Sequence, residues 1–258
     1  MRAIVYEEPG KYRLKEVANP QAKDNEIVIK VEACGLCRTD LHLYKGEFIA
    51  DFPLIPGHEF SGEIVEVAKN VKSFKVGEKV VADNTILCGK CYYCTRDKDL
   101  FCENFRSLGC NEAGGFAEYV KVREEKVFPI HGLSPEEATF TEPISCGIHG
   151  VDVIDPQPGD NALLFGAGPT GIILSQLLKY NGVTNLVVAA PTQFKLDIVR
   201  RLAADEVIMV NRNDYSEHEE IIGGKYPRGF DIVVDATGAS TMAERLIKFT
   251  KYGGKVIF

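Results

Sequence analysis

Hydrophobic and polar positions change rhythm once along the chain. Up to about residue 130, short β-like runs are broken by Gly, Pro and Asn: Glu26 to Val31, Gly62 to Val67, Lys79 to Ala82 and Phe116 to Val122. Such runs predict an antiparallel barrel or sandwich. From Asn161 onward, apolar strands alternate with helical stretches. They are Asn161 to Phe165 and a helix to Tyr180, Asn185 to Ala190 and a helix to Ala203, Glu206 to Val210, Asp231 to Val234 and a helix to Phe249, then Lys255 to Phe258. That alternation predicts a parallel sheet with crossover helices. Two domains follow, 1–151 and 152–258, the change falling in the helical run Glu142 to Ile154 or in the turn Asp155-Pro156-Gln157-Pro158-Gly159. A doubly wound α/β sheet usually has about six parallel strands. The pattern supplies five, the last barely begun at Gly253-Gly254-Lys255-Val256-Ile257-Phe258, so the second domain is expected to be truncated.

The 258 residues are 45% hydrophobic and 26% charged, enough apolar material for one large or two medium cores and too much for a disordered chain. A net charge of −7 leaves no basic surface to neutralise phosphates, which argues against nucleic acid and anionic membrane as partners and for small molecules. The N-terminus reaches an acidic residue by Glu7 and lacks the apolar run and cleavage site of a signal peptide, and no apolar stretch approaches membrane-span length. The expected compartment is the cytoplasm. In that reducing setting the eight cysteines are better candidates for metal ligands than for disulfides.

Cys88-x2-Cys91-x2-Cys94-x7-Cys102 places four thiolates in one short loop. Four soft sulfurs close a tetrahedral shell around Zn²⁺ with no open position, which makes a structural site. An iron–sulfur cluster uses the same ligands and is the rival reading. Cys34, Cys110 and Cys146 have no such partners and read as small buried residues.

A second set of metal-binding side chains lies at Cys37, His58, Glu59 and Glu142. One thiolate, one imidazole and one or two carboxylates with a water make an incomplete shell, and incomplete shells are catalytic: Zn²⁺ with an open position lowers the pKa of an alcohol and favours release of hydride. A third motif, Leu163-Leu164-Phe165-Gly166-Ala167-Gly168-Pro169-Thr170-Gly171, is a strand ending in G-x-G-x-x-G and opening a helix. Its glycines allow a tight turn and close approach of a pyrophosphate, which the free N–H groups of the helix start would bind. A dinucleotide site of this type usually has an acid about 20 residues on, gripping the ribose 2′-hydroxyl of NAD. Here Ala190 stands in its place, followed by Thr192 and Lys195. A 2′-phosphate meets no carboxylate there, Thr192 offers a hydroxyl and Lys195 a counter-charge, so NADP is expected over NAD.

The order of Cys37-Arg38-Thr39-Asp40-Leu41-His42, Gly57-His58-Glu59-Phe60-Ser61-Gly62-Glu63, the cysteine lobe, Gly114-Gly115-Phe116-Ala117-Glu118-Tyr119 and the glycine loop resembles that of the zinc-dependent medium-chain alcohol and polyol dehydrogenases, sorbitol- or arabinitol-dehydrogenase-like. The resemblance spans the chain, and complete members of the family are longer. It implies a GroES-like β-barrel catalytic domain followed by a Rossmann domain, here incomplete at its C-terminus. It implies that Cys37, His58 and Glu59 bind the catalytic zinc, with Glu142 as fourth ligand or as the residue holding the zinc-bound water. A Glu at 142, where simple alcohol dehydrogenases have Cys, implies a polyol substrate. By the same resemblance Asp40 orients His58, Thr39 and His42 carry the alcohol proton outward, Arg38 pairs with the cofactor pyrophosphate, and Thr237, in Asp235-Ala236-Thr237-Gly238, lies beside the nicotinamide ribose. Complete members form homo-oligomers, through strands that this chain lacks. The leading reading is a two-zinc, NADP-preferring polyol dehydrogenase. The alternatives are a secondary-alcohol or threonine dehydrogenase on the same scaffold and a non-catalytic binder of zinc and dinucleotide.

Overall fold

The computed structural model describes residues 1–211, 214, 216–239 and 242–258. It divides into two compact units, Met1–Glu142 and Pro143–Phe258.

The first unit carries β1 (Arg2–Glu8), β2 (Lys11–Glu16), β3 (Glu26–Cys34), β4 (Phe60–Val67), β5 (Lys79–Ala82), β6 (Thr85–Ile86), β7 (Arg106–Ser107), β8 (Tyr119–Arg123) and β9 (Val127–Pro129). Its helices are α1 (Arg38–Lys45) and α2 (Pro135–Ala138), and α3 (Thr141–Ile154) begins at its end. A five-stranded antiparallel sheet runs in the order β8-β3-β4-β5-β9. Ile27, Ile29, Phe60, Ile64, Val80, Val120 and Val122 form its core. The hairpin β1–β2 escapes the hydrophobic pattern because every residue of Lys11–Glu16 is exposed and most are charged. It is tied down through β1, which buries Ala3, Val5 and Tyr6 and whose Tyr6 exchanges backbone hydrogen bonds with Leu54. The strand expected from Phe116 begins only at Tyr119, because the N–H groups of Gly114, Gly115 and Phe116 donate to Ile55 O, Gly57 O and Pro56 O of the turn before His58.

The second unit is a parallel sheet of β10 (Asn161–Phe165), β11 (Asn185–Ala190), β12 (Glu206–Met209), β13 (Phe230–Asp235) and β14 (Thr250–Ile257), in the order β12-β11-β10-β13-β14. Its helices are α4 (Pro169–Tyr180), α5 (Gln193–Leu202), α6 (Ser216–Lys225) and α7 (Ala243–Leu246). Ala162 and Leu164 pack in one core, Leu163 and Phe165 in another. This is the doubly wound plan in which both faces of every central strand are covered. The strand order reverses between β11 and β13 on either side of β10, which puts the glycine loop at the switch point where such sheets bind ligands. The last strand is longer than expected, starting at Thr250 rather than Lys255, and runs through Gly253 and Gly254 with a shift of register against β13. Positions 240 and 241 of the helix expected before it lie outside the described residues. Among the described residues no helix is long and apolar enough to cross a membrane.

Asp231 links the strands of this unit. It accepts from Asn161 N at 3.1 Å and pairs with Lys251. Burial acts to raise its carboxyl, but Lys251 and the Asn161 N–H outweigh burial and hold it below the usual carboxylate value. A carboxylate with a depressed folded pKa stabilises the fold above its unfolded pKa of about 3.9, and that stabilisation disappears as pH falls through the folded value. Asp231→Asn is expected to cost about 1–2 kcal/mol at pH 7 and progressively less below about pH 4. Urea unfolding at pH 7 and pH 3 measures this, and an equal cost at both would overturn the assignment.

Candidate active site

Sheet register assembles the mixed cluster. Cys34, the last residue of β3, pairs with Phe60, the first of β4, and Gly35 N donates to Glu59 O at 2.8 Å. Residues leaving β3 therefore lie beside residues entering β4, and donor atoms of Cys37, His58 and Glu59 all come within 4.8 Å of one another. A Cβ at position 35 would stand 2.1 Å from Glu59 Oε2 and 3.1 Å from Glu59 Cβ, so a side chain there would displace the Glu59 carboxylate. Gly57 turns the chain into His58 at φ +93°, a conformation that favours glycine. The Gly114-Gly115-Phe116 motif clamps that turn: Gly115 N donates to Gly57 O at 2.7 Å and Phe116 N to Pro56 O at 2.9 Å.

Helix α1 starts at the cluster. Cys37 N donates to Asp40 Oδ2 at 2.8 Å, fixing the carboxylate in the first turn. Asp40 Oδ1 lies 3.5 Å from His58 Nδ1, and both atoms are buried with no hydrogen-bond partner. A carboxylate facing Nδ1 leaves Nε2 as the nitrogen available to a ligand, which is how metal-binding histidines are oriented. Burial opposes charge on His58, yet Asp40 and Cys37 outweigh it and push the imidazole up to about 11. The same His58 contact holds the Cys37 thiol below its ordinary value. Burial, and then the charges of Glu142 and Asp40, raise the Glu59 carboxyl. These donors share a need for positive charge that a dication would meet in place of the proton on His58. Sulfur, nitrogen and oxygen donors in a set smaller than four fit Zn²⁺ with a position left open.

Glu142, at the start of α3, stands outside this set of mutually close donors. Its Oε1 accepts from Asn84 Nδ2 at 3.4 Å, and the same Nδ2 lies 3.5 Å from His58 O. Asn84 belongs to no spacing motif, and nothing in the sequence singles it out. Thr39 Oγ1 is 3.6 Å from Cys37 Sγ. His42 is half-exposed, with Nδ1 2.8 Å from Glu47 Oε2, and Arg38 is exposed at the helix start.

In the cysteine lobe the sulfurs of Cys88, Cys91, Cys94 and Cys102 also lie within 4.8 Å of one another, all as free thiols. A tetrahedron built on Zn–S bonds of about 2.3 Å has edges of about 3.8 Å, and Cys91 Sγ is 3.5 Å from Cys94 Sγ. An iron–sulfur cluster would interpose several atoms and spread the thiolates further apart, so a single ion fits better. Backbone N–H groups of Lys90 and Cys91 lower the Cys88 thiol, while burial and the neighbouring sulfurs raise Cys94. Four thiolates at this spacing need a cation to be charged together. Of the remaining cysteines, Cys110 is buried and Cys34 half-buried, its thiol pushed up to about 12 by burial and the Asp40 charge. Cys146 corrects the expectation of burial. The buried face of α3 is Gly147, Val151 and Ile154, and Cys146 falls off it, exposed.

In the second unit Gly166 takes φ +107°, and a Cβ on Gly171 would meet Gly166 O at 2.1 Å, so helix and strand can approach this closely only without side chains. Gly168 is the N-cap of α4, and a Cβ there would meet nothing within 4 Å, leaving room for a phosphate over the helix start. Pro169 and Thr170 form the exposed first turn. Ala190 is buried at the end of β11, Thr192 caps α5 without a side-chain bond, and Lys195 is exposed in its first turn with no ion pair among the described residues. Thr237 N donates to Asp235 Oδ1 at 2.7 Å after β13, and Thr237 Oγ1 accepts from Ala239 N at 3.1 Å.

An antiparallel unit holding two metal-binding clusters, joined to a doubly wound unit with a dinucleotide loop, is the make-up of a metal-dependent dehydrogenase. The chain belongs to the zinc-binding dehydrogenase family: the alcohol dehydrogenase GroES-like domain matches residues 23–132 and the zinc-binding dehydrogenase domain residues 169–258. It is 46% identical over 258 residues to D-arabinitol dehydrogenase 1 of Uromyces fabae, covering 100% of this chain and 74% of that protein. A sorbitol dehydrogenase of Halalkalibacterium halodurans is 31% identical, with 99% and 75% covered. A zinc-binding dehydrogenase from Sinorhizobium meliloti 1021, solved bound to NADP, superposes with a TM-score of 0.93 at 31% identity, covering 99% of this chain and 75% of that one.

Proposed function

We propose that this chain transfers hydride between a sugar alcohol of the arabinitol or sorbitol type and NADP, interconverting polyol and ketose. The observation that carries this reading is the close grouping of Cys37, His58 and Glu59, with His58 backed by the buried Asp40 carboxylate. Zinc held by these three residues supplies Lewis acidity that favours deprotonation of the substrate hydroxyl, and the nicotinamide is the hydride's partner. Glu142 is near enough for its charge to act on Glu59 and is read as completing the site, as a ligand or by holding a water. Thr39, beside Cys37, is read as taking up the hydroxyl proton while passing its own on through the cofactor ribose, and half-exposed His42, its ring against Glu47, as releasing a proton to solvent. The cysteine lobe is read as the structural zinc site. Glu142 and the likeness to arabinitol and sorbitol dehydrogenases favour a polyol over a simple alcohol. Ala190 in place of an acid, with Thr192 near it and Lys195 in no ion pair among the described residues, favours NADP, as does the NADP-bound relative. Eight cysteines with no disulfide among them fit a reducing, cytoplasmic setting.

The test is kcat/KM for D-arabinitol, sorbitol, xylitol, L-threonine and 2-butanol with each cofactor. The expected result is highest kcat/KM on a polyol, and at least about ten-fold preference for NADP, equivalent to about 1.4 kcal/mol. Turnover of 2-butanol or threonine alone would remove the polyol reading. Cofactor binding with both zincs present and no turnover would leave a non-catalytic binder.

A further inference from the structure

The strand segment after β5 is locked on both sides of Asn84. Asp83 Oδ1 accepts from Thr85 N at 2.8 Å, and Lys126 Nζ reaches both Asp83 Oδ2 at 2.5 Å and Thr85 Oγ1 at 2.8 Å. Asn84 O itself accepts from Leu108 N at 2.8 Å. The backbone therefore holds the Asn84 side chain in a set position, and that side chain is buried. Its Nδ2 faces two oxygens, His58 O at 3.5 Å and Glu142 Oε1 at 3.4 Å. Two acceptors at one end of the amide identify that end as the donor, since a flipped amide would set Oδ1 against both. Each distance is long for a single hydrogen bond. Together, the two hydrogens of one NH₂ group span the His58 turn and the first turn of α3.

We propose that Asn84 is a positioning residue for the active site, setting the Glu142 carboxylate against the His58 turn through its one amide group. The inference rests on the reading of Glu142 as part of the metal site. Removing Asn84 breaks this link between the Glu142 carboxylate and the sheet-held His58 turn. Groups that orient a metal site in this way change metal retention or activity by about 10- to 100-fold when removed.

The test uses the zinc-loaded protein and a double-mutant cycle of Asn84→Ala and Glu142→Ala, read by kcat, KM and the rate at which each zinc is lost to a chelator. Asn84→Asp is added as a near-isosteric variant that removes the donor and faces Glu142 with a second carboxylate. In Asn84→Ala, kcat is expected to fall, or the faster zinc loss to accelerate, by about 10- to 100-fold. KM and the slower loss, from the cysteine lobe, should stay within about two-fold, and Asn84→Asp should be worse still. In the Glu142→Ala background Asn84→Ala should add less than about two-fold. If Glu142→Ala is costly but the Asn84 change is silent or fully additive to it, the inference fails and the reading of the site stands. If Glu142→Ala is itself silent, the role of Glu142 fails and the inference with it.

Discussion

In His58→Ala, bound zinc is expected to fall from two ions per chain to one and kcat/KM on the polyol to fall by about 10⁴-fold or more, about 5.5 kcal/mol of lost transition-state stabilisation. The size of the effect follows from the donor set. With the imidazole gone, Cys37 and Glu59 alone remain of the mutually close donors, too few to hold a dication against water. The substitution also leaves the Asp40 carboxylate buried with its facing nitrogen removed, so some loss of stability accompanies the loss of metal. The dissociation constant for NADP separates the two effects. The glycine loop lies in the second compact unit, and cofactor affinity should change by less than about three-fold while zinc and turnover are lost. Retention of both zincs and of activity would overturn the assignment of the cluster.

In Cys102→Ser the lobe, not the chemistry, should give way first. Tyr92, Leu100 and Phe101 point their side chains largely to solvent, so residues 88–102 have little apolar core of their own. Closure by four sulfurs around one ion is what orders the segment, and structural zinc contributes about 10–16 kcal/mol in small metal-folded domains. A hydroxyl is a poor substitute for a thiolate, and the three remaining sulfurs repel each other when charged. Zinc content should again fall by one ion, and limited proteolysis within 88–102 should quicken by at least about 100-fold. The five-stranded sheet of the same unit, with its own buried core, should persist in circular dichroism. A strong chelator applied to the native protein should reproduce the proteolysis. An unchanged cleavage rate would mean that the lobe is ordered by something other than metal.

Features legible in the sequence were those whose cause is local. The alternation of apolar strands with helices between Asn161 and Phe258 comes from burial on both faces of a parallel sheet, and the structure has the same five strands in that stretch. The lobe was legible because its four ligands lie within fifteen positions, where spacing alone constrains geometry. The glycine loop was legible because a tight turn and a close helix leave backbone requirements that glycines record. Hairpin β1–β2 was not, since Lys11–Glu16 buries no side chain and is held by pairing with β1 and by ion pairs of Lys11, Arg13 and Lys15 to Glu7. Exposed Cys146 was misjudged because side-chain chemistry does not say which way a helix face turns.

The mixed cluster lies between these cases. Sequence alone determined that Cys37, His58, Glu59 and Glu142 are capable ligands, and that a chain with these motifs in this order is a zinc-binding dehydrogenase. Only the tertiary structure decided which of them meet. Pairing of Cys34 with Phe60 carries Cys37 to His58 and Glu59, while Glu142 stays outside that set and reaches the His58 turn through Asn84. The physical reason is that these ligands lie just beyond paired strand ends: a register slip between β3 and β4 would carry Cys37 away from His58 and Glu59, and register is set by the whole sheet and its core rather than by the residues that bind metal.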